Sequence, residues 1–239
     1  MSNTATWKGS SPRRAAFFDV DETLIKVKSM FRFLEFHLAR RGLPGAVYTR
    51  IRADLDALSA AGWTRQRTNR AYYRVYANQP AERLAAHGEA WFAGELAGGD
   101  LFVPGVLNAL RRHQRQGDLT VLVSGSFPPC LDPVARHVGA DLVVCTRPEI
   151  LAGHYTGRAD HPVIGPAKAD AVREVLTGHG LAAGSCFAYG DHASDLPMLR
   201  SVGNPVVVGD DPILDVVARD SGWARLPSEP SVAVTPAAE

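Results

Sequence analysis

Asp19 and Asp21 stand two residues apart at the end of an apolar run, Ala15 to Ile25, which reads AAFFDVDETLI. On an extended backbone, residues at that spacing face the same way, so the two carboxylates converge on one ligand if the extension persists through Asp21. Like charges held that close are costly unless a counter-charge joins them. A divalent cation is the simplest remedy. A plainer reading also fits: a solvated strand end whose Asp19 and Glu22 cap the next helix. The choice between the two depends on what the chain supplies elsewhere.

It supplies three more polar groups of the same kind. The run VLVSGSFPP carries Ser124, Gly125 and Ser126 ahead of Pro128 and Pro129. A hydroxyl and free backbone N–H groups at a helix start make a seat for an oxyanion or a phosphate, or simply an N-cap. Lys168 falls at another helix start, where the helix dipole disfavours a cation; a nearby anion resolves that misfit, and so does plain solvation. Finally Gly190, Asp191, His192, Ala193, Ser194 and Asp195 place two further carboxylates after an apolar stretch, with a glycine that lets the backbone turn tightly.

These groups need elements to position them. Ala15 to Val20 reads as a buried strand, rich in β-formers and preceded by Pro12. Lys26 to Asp100 differs in kind: apolar residues at helical spacing (Phe31, Leu34, Leu38; Ile51, Leu55, Leu58) are broken at Gly42, Pro44, Gly62 and Pro80. That pattern predicts about four helices and no strand, a small helical domain inserted after the first strand. From Val103 onward, helices are predicted over Pro104–Gln116, Pro128–Val138, Lys168–Leu176, Leu196–Ser201 and Ile213–Asp220. Strands are predicted over Leu119–Val123, Asp141–Cys145, Cys186–Tyr189 and Val206–Val208, with a hairpin or loop over Gly153–Asp160. Alternating strands and helices imply βαβ units, an α/β fold with a parallel sheet covered on both faces. Ligands bind outside the carboxyl ends of such strands, where Asp19, Ser124 and Asp191 fall. The expected division is a loose arm over 1–14, a core over 15–25 and 101–226, the helical insertion over 26–100 and a frayed tail over 227–239.

Composition narrows the function. With 239 residues and a formal charge of +1, nothing global favours nucleic acid or an acidic membrane surface. The three cysteines, Cys130, Cys145 and Cys186, lack zinc or disulfide spacing and fit a reducing cytoplasm. No apolar run approaches the ~18 residues of a membrane span, and the polar N-terminus is unlike a signal peptide. A cytoplasmic location is therefore expected.

In order along the chain, D-x-D-x-T-L (Asp19, Asp21, Thr23, Leu24), Ser124-Gly125, Lys168 and G-D-x-x-S-D (Gly190, Asp191, Ser194, Asp195) resemble the haloacid dehalogenase superfamily of phosphatases over roughly 15–226. The insertion is similar to the helical cap of its subfamily I, and GHYTGR with GDHASDLPML resembles the phosphoserine-phosphatase-like branch. That resemblance implies a Rossmann-like core carrying a helical cap, and a Mg²⁺-dependent phosphomonoesterase acting on a small phosphorylated metabolite. Asp19 would be the nucleophile that forms an aspartyl-phosphate, and Asp21 the acid and then the base. Asp19, Asp21 through its backbone carbonyl, and Asp191 would hold Mg²⁺. Ser124, Gly125 and Lys168 would bind the phosphoryl group, with Lys168 also catalytic, and Thr23 would touch the phosphate or support the loop geometry. Ser194 and Asp195 would support this arrangement from behind, Asp195 by orienting Lys168 or a metal-bound water.

The insertion is rich in Arg and Tyr, which suits an anionic or polyhydroxylated substrate, although such side chains also coat small helical domains by snorkelling. Arg70, Arg74, Lys28 and His192 are the candidates for contacting the leaving group. By the resemblance, phosphoserine phosphatases carry a glutamate for the substrate amine where this chain has Lys28. A cation there repels an ammonium group, so phosphoserine is not the expected substrate. Two other functions remain compatible with the motifs: phosphoryl transfer to an acceptor other than water, and ligand binding on an inactive scaffold.

Overall fold

The computed structural model describes residues 13–228; most of the expected arm and tail, residues 1–12 and 229–239, lies outside them. Its centre is a parallel sheet built from β1 (Ala15–Phe18), β2 (Leu119–Ser124), β3 (Leu142–Cys145), β6 (Phe187–Gly190), β7 (Asn204–Val208) and β8 (Ala224–Leu226), in the order β3-β2-β1-β6-β7-β8. All four residues of β1 are buried, as both faces of a parallel sheet must be when helices cover them. Ala15 and Phe17 face a layer formed by α7 (Pro166–His179), α8 (Leu196–Leu199) and α9 (Pro212–Ser221). Ala16 and Phe18 face the other layer, with α5 (Pro104–Arg115) and α6 (Pro128–Val138). The alternation expected of strand residues thus divides the core in two.

Between β1 and α5 the chain forms α1 (Ser29–Arg40), α2 (Gly45–Ala60), α3 (Arg65–Tyr73), a 3₁₀ turn at Arg74–Tyr76 and α4 (Ala81–Ala97), with no strand among them. These helices share one apolar cluster with the sheet: Leu34, Tyr76, Leu84 and Trp91 bury together with Phe18, Leu122 and Val134. Phe127 is the hub, its ring 5.2 to 5.6 Å from those of Phe33, Tyr73 and Tyr76, within the range where aromatic pairs attract. The approach of α4 to α6 is close enough that a Cβ on Gly88 would stand 1.9 Å from the Pro129 carbonyl oxygen.

The elements match the sequence reading to within a few residues, with two exceptions. The hairpin lies earlier than expected, in β4 (Ile150–Leu151) and β5 (His154–Tyr155); Ala152 and Gly153 turn with φ of 47° and 78°, the left-handed pair that matches strand twist. The edge strand β8 was not expected at all. Its three residues, Ala224, Arg225 and Leu226, are mostly exposed and lack an apolar run, so nothing local marks them as a strand.

The α4–α6 contact gives a paired test within one helix. Gly88→Ala forces a methyl group against backbone and should lower Tm by roughly 2–12 °C, the range that overpacking of about 1–3 kcal/mol produces in a domain of this size. Gly94→Ala, with nothing within 4 Å of the new Cβ, should leave Tm unchanged or raise it through helix propensity. Thermal denaturation followed by circular dichroism distinguishes the two.

Candidate active site

Strand order places the site. The chain leaves β1 toward β2 on one side, while β6 flanks β1 on the other, so the crevice at their carboxyl ends is a topological switch point. The Asp19 N–H donates to the Tyr189 carbonyl at 3.0 Å, which locks the first residue after β1 to the end of β6. Asp191 and Asp195 follow β6 directly, and oxygens of Asp19, Asp191 and Asp195 all lie within 4.8 Å of one another. Gly190 permits this: a Cβ there would stand 2.7 Å from that of Asp195. Lys168, in the first turn of α7, donates to Asp19 at 2.5 Å and to Asp195 at 2.6 Å. Those two anions answer the unfavourable helix dipole at the lysine.

Burial sharpens the electrostatics. It opposes the charge of Lys168, but the Asp19 and Asp195 carboxylates outweigh it and hold the ammonium above its ordinary pKa. No ion pair between described residues involves Asp191, and burial together with the Asp19 charge pushes its carboxyl up. Burial likewise raises Asp195 despite Lys168. The group is therefore short of positive charge, and its donors are all oxygen, the ligand type a hard divalent cation such as Mg²⁺ prefers.

Asp21 lies apart from that group. Burial raises its pKa to about 7, helped by Asp19 and opposed by Ser29, and its Oδ1 is buried without a partner. A carboxyl that holds a proton near neutrality is equipped for acid–base work.

On the third side, Ser124, Gly125 and Ser126 turn from β2 into α6. The Ser126 N–H donates to Ser124 Oγ at 3.0 Å. The Gly125 carbonyl accepts from Asn69, Tyr73 and Thr146 at 2.8 to 3.1 Å. Gly125 has no room for a side chain, since a Cβ would meet Ile164 at 2.7 Å.

The family model for haloacid dehalogenase-like hydrolases matches residues 16–200, well over half of the chain. The chain belongs to that family. Among its relatives, an "Inhibition of morphological differentiation protein" of Streptomyces azureus is 32% identical, over 91% of this chain and 79% of the relative. A phosphoserine phosphatase of Mycobacterium tuberculosis is 30% identical, over 87% and 69%. A crystal structure of a protein of unknown function from Bordetella pertussis superposes with a TM-score of 0.81 at 29% identity, covering 91% of this chain and 99% of that one. The protein is thus a phosphatase of the phosphoserine-phosphatase-like branch of haloacid dehalogenase-like hydrolases.

In this hydrolase a cleft of about 270 Å³ brings together Asp19, Asp21, Ser124, Gly125, Lys168, Asp191, Ser194 and Asp195, with Lys28 and His192 at its wall. Three expected contacts lie elsewhere. Arg70 and Arg74 do not line the cleft; Arg70 donates to the Asp160 carbonyl instead. Thr23 is fully buried and does not line it either. Its hydroxyl faces Asp191 at 2.6 Å and Asp19 at 3.3 Å, so it holds the carboxylates rather than a phosphate.

Of the Arg and Tyr residues that the sequence offers in the insertion, Arg65 and Tyr72 do face the cleft, together with residues not singled out from the sequence: Arg52, Leu55, Asp56 and Ser59 on α2 and Thr68 and Asn69 on α3. On both helices the lining residues follow the i, i+3, i+4, i+7 spacing of one helix face, a signal that polar content alone does not reveal. The Arg52 guanidinium lies 3.5 Å from the Phe31 ring centroid, a cation–π contact. Lys28 pairs with Glu22 at 3.1 Å, both half exposed. Arg65 donates to His192 Nδ1 at 2.7 Å, and burial and then Arg65 depress the imidazole's pKa.

The charge imbalance predicts opposite effects of two substitutions made in the absence of divalent cations. Lys168→Met strands two buried carboxylates and should lower Tm by on the order of 10 °C, as expected when one partner of a buried ion pair is removed. Asp191→Asn relieves repulsion and should raise Tm. Its benefit should grow as pH rises, because a carboxyl whose pKa is raised by folding weakens the fold once it ionises. Scanning calorimetry at pH 6 and pH 9 reads both.

Proposed function

We propose that the protein is a Mg²⁺-dependent phosphomonoesterase that acts on a small phosphorylated metabolite through an aspartyl-phosphate on Asp19, and that phosphoserine is not its preferred substrate. The observation that carries this reading is Lys168 bridging Asp19 and Asp195 beside Asp191, opposite the Ser124–Gly125 turn. Asp19 attacks phosphorus, and the bond from phosphorus to the ester oxygen breaks. Asp21 gives its proton to the departing oxygen; it then takes one from the water that displaces Asp19 and releases inorganic phosphate. Lys168, Ser124 and the Gly125 N–H offset the charge on the phosphoryl oxygens.

Asp19 and Asp191, with the Asp21 backbone carbonyl, are the residues to hold Mg²⁺. The shortage of positive charge among the carboxylates supports that fit. Bound there, the ion supplies charge neutralisation that lets an anionic nucleophile meet an anionic ester. The helical segment 26–100 serves as the cap that encloses the leaving group and excludes water. The cations around that part of the cleft, Lys28, Arg52 and Arg65, outnumber Glu22 and Asp56, which favours leaving groups bearing a carboxylate, hydroxyls or a second phosphate over one bearing an ammonium. No helix among the described residues is long and apolar enough to cross a membrane, and the cleft is sized for a small molecule.

Hydrolysis of p-nitrophenyl phosphate should require Mg²⁺, stop with chelator and vanish in Asp19→Asn; near wild-type turnover by that variant would remove Asp19 from the role. Mg²⁺ should also raise the Tm of chelator-treated protein, and Asp191→Asn should lose that shift. Against a panel of phosphorylated sugars, polyols and acids, phosphoserine should show the lower kcat/KM, and Lys28→Glu should narrow the gap.

A further inference from the structure

Of the cations that line the cleft, Lys168 pairs with Asp19 and Asp195, Lys28 with Glu22 at 3.1 Å and Arg52 with Asp56 at 3.7 Å. Arg65 remains. No ion pair between described residues involves it, and its guanidinium donates instead to a neutral group, His192 Nδ1, at 2.7 Å. Arg65 is also the first residue of α3, where the helix dipole disfavours a cation. At Lys168 the same misfit is answered by two carboxylates. At Arg65 no carboxylate of the described residues answers it.

His192 stands on the opposite wall, directly after Asp191. Its Nδ1 accepts from the Ser194 N–H at 2.9 Å as well as from Arg65. A ring nitrogen that accepts from two donors carries no proton, so the neutral imidazole bears its hydrogen on Nε2. The hydrogen bonds of this ring among the described residues are all made at Nδ1, which leaves Nε2–H to donate. Both side chains belong to exposed residues, so an incoming molecule can reach them.

We propose that Arg65 and His192 form a clamp for an anion on the leaving group, so that the substrate is a phosphate ester carrying a carboxylate or a second phosphate. Arg65 binds that anion with the N–H groups that His192 does not use. His192 aims the guanidinium through Nδ1 and adds its own Nε2–H. The inference rests on this cleft being the site of phosphate-ester hydrolysis. It narrows the leaving groups that the cleft favours, because a hydroxyl alone does not neutralise a guanidinium.

Esters of one three-carbon chain test this: 3-hydroxypropyl phosphate, 3-phosphooxypropanoate and propane-1,3-diyl bisphosphate, with phosphate release as the readout. For one of the two anionic esters, kcat/KM should exceed that of the hydroxyl ester by ~10-fold or more, and the better of the two identifies the anion. Arg65→Gln should cut this ratio by ~10-fold, chiefly through KM. His192→Asn keeps an acceptor for the Ser194 N–H but loses the ring Nε2–H, and should cut the ratio by about threefold. Arg65→Lys, which keeps the charge without the planar fork, should lie between Arg65→Gln and the wild type, and is read alone if Arg65→Gln does not fold. A merely structural role lowers all three esters alike; an unchanged ratio in the Arg65 variants, or no anionic preference in the wild type, overturns the inference. Lys28→Met removes the same formal charge from the cleft, and an equal fall of the ratio there overturns it too, since a diffuse field would then suffice. Failure of the wild type to hydrolyse p-nitrophenyl phosphate defeats the phosphatase reading beneath; hydrolysis of it without an anionic preference defeats the clamp alone.

Discussion

Three carboxylates gathered at the ends of buried strands carry more negative charge than one lysine balances, and much of the local architecture exists to keep them there. At 4 to 5 Å, like charges repel by several kcal/mol even at an intermediate dielectric. Asp19, Asp191 and Asp195 are nevertheless fixed by the β1–β6 pairing, by the missing side chain of Gly190 and by the Thr23 hydroxyl. Lys168 reaches them from a helix start that is itself unfavourable for a cation. Strain of this kind is characteristic of sites kept for chemistry at a cost in stability.

The groups that meet at strand ends were legible because each is written locally. An apolar run that stops at an aspartate, a serine-glycine or a glycine-aspartate announces both the strand and the residue presented at its tip, and the sheet rule supplies the rest. The cleft's outer wall was not legible in the same way. Arg65 and Arg70 sit on the same short helix, five positions apart, and only Arg65 faces the cleft. Which side of α3 turns inward is decided by Tyr72 and Tyr73 packing on Phe127, a contact across more than fifty residues. The choice between the two roles open to Thr23, supporting the loop or touching the phosphate, was not legible for a related reason, since its second carboxylate arrives from position 191. The edge strand β8 is held by backbone pairing to β7 and has no side-chain pattern to read.

The helical segment is fused to the sheet more than it is laid over it. Its apolar residues belong to the same cluster as Phe18 and Leu122, and α4 meets α6 at a separation that only a glycine allows. α3 is bonded through Asn69 and Tyr73 to the Gly125 carbonyl. Rigid attachment on this side gives the Ser124–Ser126 turn a fixed backing.

α2 stands in contrast. Of its sixteen residues, Gly45–Ala60, only Leu55 is buried, yet one of its faces forms part of the cleft. Folding therefore constrains this helix weakly, while under the proposed function its cleft-facing side helps choose the molecule admitted. Within a lineage, such a segment can drift toward new metabolites without disturbing the carboxylates below, which makes α2 the part of the scaffold where selectivity is free to diverge.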